Sequence, residues 1–307
     1  MARMLAFRGL QLVLVLFGIS AMLFFLIRLS GDPAAIVAGS DADPAMVEEV
    51  RRQLGLDKPV LVQFGIFLID LLRLDFGLSY QYRVPAMDVV FARLGVSIQL
   101  TVAAIAIVMA VSIPLGVAAA VRRGRPISHF AQVFSLFNQS VPSFVLGILL
   151  IMLFSVGLGV LPSFGYNSAV SIILPAITLA SFSVARQLQL VRSYMIDELH
   201  KDYVQSAIAN GIPVNRVRYR HALPNVLPPI LSLAAIDMGA MIGGAIITET
   251  VFSWPGVGRL LVEAVLKRDY PVMQAAVFVI AVIVVVINML VEVANQLVDP
   301  RLRTELK

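Results

Sequence analysis

"DYVQSAIANGIPVNRVRYRHALPN", Asp202–Asn225, is a polar, basic stretch set among long apolar runs. Helices in a bundle are joined by about 2–8 residues, so this stretch is longer than a link requires. Its spacing predicts a helix, a glycine turn and a second helix. Tyr203, Ala207 and Asn210 fall at i, i+4 and i+7, and the small Ser206 and Ala207 allow a partner to come close. Gly211 stops the first helix as a C′ glycine does, and Pro213 suits the first turn of the second. Pro224, Pro228 and Pro229 mark the start of the next apolar run. A solvated basic loop without a partner is the other reading of the same spacing.

The surrounding chain reads as a membrane protein. Of its 307 residues 59% are hydrophobic and 14% charged, whereas a soluble domain carries about 25% charged residues. Uncharged runs of about 18 residues or more read as membrane spans. Gly9–Ile27 is the first and exceeds the apolar region of a signal peptide, usually about 7–15 residues. Leu94–Val121 is the second. Phe130–Ala185 is too long for one crossing, and "GLGVLPSFGYNS" (Gly157–Ser168) divides it, as Gly and Pro do. The expected spans after the first are 94–121, 131–156, 169–190, 226–250 and 272–292, giving an all-α integral membrane protein with six transmembrane helices. Residues 1–29 hold the N-terminal tail and first span, and 30–93 form an external segment with short amphipathic helices. Residues 94–298 form the core, with a cytoplasmic loop over 197–225, and 299–307 form a tail.

The basic residues set the orientation. Arg3 and Arg8, then Arg122, Arg123 and Arg125, then Arg186, Arg192, Lys201, Arg216, Arg218 and Arg220, and finally Arg301, Arg303 and Lys307 share one side in a six-span chain. The positive-inside rule makes that side, with both termini, cytoplasmic. In segment 30–93, "DPAMVEEVRRQLGLDKP" contains a short helix with Asp43 as its N-cap, and "QFGIFLIDLLRLDFG" is too interrupted to span. The absence of cysteine excludes disulfides, thiolate metal sites and cysteine nucleophiles. His129, His200 and His221 are scattered over loops, which speaks against a metal site. No catalytic cluster stands out. No phosphate-binding G-x-x-x-x-G-K-[ST] loop occurs either.

The opening stretch resembles the "EAA" signature of ABC-importer permeases, E-A-A-x-x-x-G followed after nine residues by I-x-L-P. Gln205, Ser206 and Ala207 fill the E-A-A places, Gly211 the glycine, and His221, Ala222, Leu223 and Pro224 the last four. "GDPA", "LGLDKP", "LDFGLSY", "ETVFSWPGVGRLL", "RDYP" and the terminal "DPRLR" are similar, in order, to the dipeptide/oligopeptide/nickel family, in its "B" permease. The resemblance implies the type I importer permease fold in a bacterial inner membrane. It implies that Gln205, Ser206, Ala207, Gly211 and His221 dock on a cytoplasmic ATPase as a coupling helix. It also implies a second homologous permease, two ATPase subunits (or a homodimer of one) that bind ATP and Mg, a periplasmic solute-binding protein, and no cofactor on this chain. Nucleic acid has no place in this scheme. Gln205 and Asn210 depart from the Glu and Lys that relatives often carry there.

Within the spans, Asp237 is the acid at greatest depth, where charge costs about 2.5–3.5 kcal/mol or more on insertion scales. It reads either as a pathway residue meeting a substrate amine or cation, or as a structural carboxylate. Glu249, at the external end of the fifth span, is expected to act at a gate or brace the "TVFSWPGVG" turn. Trp254 fits an interface anchor. Gly239, Gly243 and Gly244 offer close helix packing, and Asn138, Gln139 and Pro142 either line a cavity or, the preferred reading, kink the helix. A self-sufficient secondary transporter or channel is the competing class. It leads one to expect inverted repeats and several intramembrane charges.

Overall fold

The computed structural model describes residues 2–30, 33–38, 42–53 and 55–298. Gly31 and Asp32 of "GDPA", Leu54 of "LGLDKP", the terminal "DPRLR" and the tail 299–307 lie outside them. The helices are α1 (Ala2–Ser30), α2 (Pro33–Ala38), α3 (Pro44–Gln53), α4 (Val60–Leu72), α5 (Ala86–Val121), α6 (Pro126–Ser140), α7 (Ser143–Leu150), α8 (Ile173–Leu199), α9 (Asp202–Ala209), α10 (Val214–Arg216), α11 (Leu223–Val251), α12 (Val257–Leu266) and α13 (Tyr270–Val298). Among the described residues four helical stretches are long and apolar enough to cross a bilayer: Ala86–Val121, Ala169–Leu199, Val214–Val251 and Tyr270–Val291. The described apolar part of α1, Val13–Arg28, is shorter.

The stretch expected as one span over 131–156 is two helices. α6 and α7, the latter extended by a π-helical turn over Ile151–Gly157, meet at 106°. Pro142 caps α7 and has no N–H to continue α6. Val141, the residue before it, is extended (φ −91°, ψ 123°), as a pre-proline residue prefers. The result is a corner rather than a kink.

The chain divides into two compact units. One comprises residues 1–97 and 255–285. Its core joins Val90 of α5, Leu260 and Ala264 of α12, and Val272, Ala276 and Val279 of α13, all buried. α4 lies on α1: Phe64 sits 6.0, 5.1 and 5.6 Å from the rings of Phe17, Phe24 and Phe25, and Arg28 donates to the Gln63 side chain. Two of the signature motifs meet here. The buried Asp269 of "RDYP" accepts from Ser79 Oγ (2.5 Å) and from the Tyr80 and Gln81 N–H groups (both 3.2 Å) of "LDFGLSY" and its next residue. Burial, then the nearby Asp269 and Tyr270, pushes the Tyr80 phenol up to about 12. Asp269→Ala removes an acceptor that four donors share, the fourth being the Val272 N–H at 3.5 Å. Each stranded donor costs about 1–3 kcal/mol, so the amides of Tyr80 and Gln81 should exchange with solvent at least tenfold faster; unchanged exchange would mean the loop is held elsewhere.

The second unit comprises residues 98–254 and 286–307. α8 is its centre, with α6, α7 and α11 against it. Gly116 of α5 lets α8 approach closely, since a Cβ there would lie 2.7 Å from Val191 Cβ and 3.0 Å from the Leu188 carbonyl oxygen. Trp254 is not an interface anchor. It is 1% exposed, with its ring edge-on to Tyr166 at 4.9 Å, and the Tyr166 hydroxyl donates to Gln99.

Candidate functional site

The Asp202–Asn225 stretch contains the expected helix and glycine turn. α9 ends in a Schellman arrangement: the Gly211 N–H donates to Ile208 O at 3.0 Å and the Ile212 N–H to Ala207 O at 3.2 Å. Gly211 has φ +82°, a backbone state costly for residues with a Cβ. No atom lies within 4 Å of where a Gly211 Cβ would stand, so the glycine serves the turn, not packing within this chain.

Beyond the turn the structure departs from the sequence reading. There is no separate second helix before a proline-marked span. Helix runs from Val214 to Val251, through a π-helical segment at Val217–Ala222. Pro224, Pro228 and Pro229 sit inside this run. Their missing N–H groups leave carbonyls one turn earlier without the usual helical donor, and a widened π turn just ahead of them is one way a helix absorbs that loss.

A polar knot fixes α9 against its neighbours. Glu198, near the end of α8 and 6% exposed, accepts from the Tyr203 hydroxyl (2.6 Å) and Asn225 Nδ2 (3.1 Å) and pairs with Lys201 Nζ (2.6 Å). Asn225 also donates to the His221 carbonyl and the Tyr203 oxygen. Burial, then the bond to Glu198, raises the Tyr203 phenol above its ordinary pKa, so it stays a neutral donor. The sequence reading missed Glu198 and Asn225, whose one visible signal was a polar residue at each edge of the loop. With that base fixed, Gln205, Ser206, Gly211 and His221 are exposed and Ala207 is partly so. Gln205 Nε2 donates to Leu199 O at 3.0 Å, which holds its side chain along the helix. An open hollow beside α9 is lined by Arg123, His200, Gln205, Ile208, Val214 and Arg218.

Asp237 and Glu249 lie apart from this surface, on α11. Both are buried, at 2% and 0% exposure. Asp237 forms an ion pair with Arg186 of α8. Arg186 is therefore well inside its helix rather than at the edge of the loop: it lies about 20 Å from the Leu199 end, at about 1.5 Å per residue. Asp237 sits at a similar distance from the Leu223 end of α11. The Glu249 carbonyl accepts from the Trp254 N–H at 2.8 Å and so caps the turn after α11. Next to it, the Phe252 carbonyl accepts from Gly165 N at 3.0 Å.

Comparisons with known proteins agree with this architecture. Residues 112–304 match the family described as "Binding-protein-dependent transport system inner membrane component", and residues 1–101 match its N-terminal companion family. The glutathione transport system permease protein GsiC of Escherichia coli (strain K12) is 37% identical over 297 residues, covering 96% of this chain and 97% of that protein. Its counterpart from Shigella flexneri serotype 5b (strain 8401) is 36% identical over the same length. In fold, the chain resembles a solved structure of the MetNI methionine ABC transporter in an inward-facing conformation. The TM-score is 0.57 at 17% identity, covering 69% of this chain and 97% of that one. A self-sufficient transporter or channel is thereby set aside. The protein is a multi-pass permease, and it belongs to the family of binding-protein-dependent transport system inner membrane components.

Proposed function

We propose that this chain forms half of the translocation pathway of an ATP-driven importer of short peptides or similar small solutes. A second homologous permease forms the other half. Two ATPase subunits, binding ATP and Mg, dock on α9 and its turn from the cytoplasm. A periplasmic binding protein delivers solute to the opposite side, where segment 30–93 lies. Both termini are cytoplasmic, and α1 is the first of six spans. GsiC is a glutathione permease, and glutathione is the first solute to try.

The observation that carries this reading is α9 itself. It is an eight-residue helix whose base is pinned by a buried carboxylate, while Gln205 and Ser206 on the helix and Gly211 in its turn are exposed. A loop that only joined α8 to α11 has no need of that bracing. Docking there lets ATP-driven closure of the ATPases move α9, and with it the helices tied through Glu198 and Asn225. Such a switch requires that the ATPases bind the two states with different affinity.

The chain has no cysteine, so Ser206→Cys introduces a single thiol. In vesicles bearing the whole importer, a short thiol-to-amine cross-linker should join Ser206→Cys to the ATPase. Free labelling of that thiol by a bulky maleimide, with no cross-link, would remove α9 from the interface.

A further inference from the structure

We propose that Arg186, anchored by Asp237, is the group on the solute path that receives the C-terminal carboxylate of the translocating solute. The inference rests on the import reading above. Arg186 lies deep in α8 and its side chain is 42% exposed. Facing lipid, a guanidinium at that depth is costly, so such residues face a bundle interior or a water-filled cavity. The same face of α8 continues polar to the end of the helix: Gln189, Ser193 and Asp197 follow Arg186 at three, seven and eleven residues, all exposed. Before Arg186 the exposed side chains of α8 are the apolar Ile177 and Phe182, and the large exposed side chains of α11 are Leu231, Ile236 and Ile247, so the polar row is confined to the part of α8 that follows Arg186. A polar row that starts at a charge pair with one buried and one part-exposed member and reaches the α9 end of the helix describes a wetted wall rather than a lipid-facing one.

The chemistry of the pair fits an anion. A guanidinium carries five N–H donors in a planar fork suited to carboxylates. Asp237 engages Nη2, and Nε is a buried donor without a partner. Asp237 itself is walled off at 2% exposure, which makes it a positioning residue and leaves contact with solute to Arg186. Its negative charge also tempers the cation. A path residue must bind firmly enough to admit solute and weakly enough to release it.

Two measurements on the complete importer test this. The first is thiol access. In inverted vesicles, an anionic membrane-impermeant methanethiosulfonate should react with Gln189→Cys and Ser193→Cys but not with Ile236→Cys. The second is uptake of radiolabelled glutathione and of its C-terminal amide. Arg186→Gln should lower glutathione uptake at least tenfold more than uptake of the amide, with Arg186→Lys in between; the binding protein is the same throughout, so the change in ratio belongs to Arg186. Equal loss for both solutes, or no loss, overturns the assignment. Unreactive cysteines in an importer that still moves glutathione overturn it alone, and point to lipid or the second permease as what covers the stripe. A wild-type importer that moves neither solute overturns it together with the peptide reading.

Discussion

Gly211→Val in the intact importer should lower solute uptake by about 100-fold, near the upper end of the coupling range between linked sites. At φ +82° a β-branched residue is a backbone outlier, and the strain is about 1–2 kcal/mol. The Schellman bonds from Gly211 and Ile212 back to Ile208 and Ala207 would open, and α9 would no longer end where its docking face ends. Within this chain the added side chain meets nothing inside 4 Å, so an internal clash is not the cause. Gly211→Asn separates the contributions, because asparagine tolerates the left-handed region. It should keep the turn and much of the uptake, while Gly211→Trp, which adds bulk at the docking face, should not. Uptake in vesicles, with protein level checked by immunoblot, reads all three. Normal uptake with well-folded Gly211→Val or Gly211→Trp would show that the turn does no coupling.

Asp237→Ala should destabilise the purified complex by about 3 kcal/mol. Breaking a buried pair by removing one partner costs roughly 3–5 kcal/mol, and the lower figure applies because Arg186 is partly exposed. Replacing both residues, as Arg186→Leu with Asp237→Leu, should restore most of the thermal stability, since no charge is then left uncompensated. Uptake of an anionic solute should remain low in the double variant. A thermal unfolding series in detergent separates the two outcomes. Equal stability of Asp237→Ala and wild type would mean that the pair is not held in the membrane as it is seen here.

How much of this was legible in the sequence follows the range of the interaction. The Gly211 turn was readable, because a C′ glycine before a proline is a local signal. So was the N-cap of α3, where Asp43 Oδ1 accepts from the Ala45 N–H at 3.1 Å. The Arg186–Asp237 pair was not. Nothing in the sequence around Arg186 points to a partner 51 positions later, and by sequence Arg186 counts only among the basic residues that set the orientation. Trp254 misled for the same reason, since its cover is Tyr166, far away in the chain. Pro142 announced a break, but not one of 106°. The prolines at 224, 228 and 229 suggested a boundary, while the helix already begins at Val214 and absorbs them with a π turn. The site residues Gln205, Ser206, Ala207 and Gly211 came from a motif; the Glu198–Tyr203–Asn225 knot that holds them required the fold.

The most direct measurement is a mild-detergent pull-down of the tagged chain from its native membranes, with mass spectrometry and an ATPase assay of the eluate. A permease that docks ATPases through α9 should bring down a second permease and one or two ATPase subunits in an eluate that hydrolyses ATP, and Gly211→Trp should lose the ATPases but keep the second permease. A lone chain without ATPase activity, in a detergent shown to preserve a known importer complex, would contradict the docking role of α9.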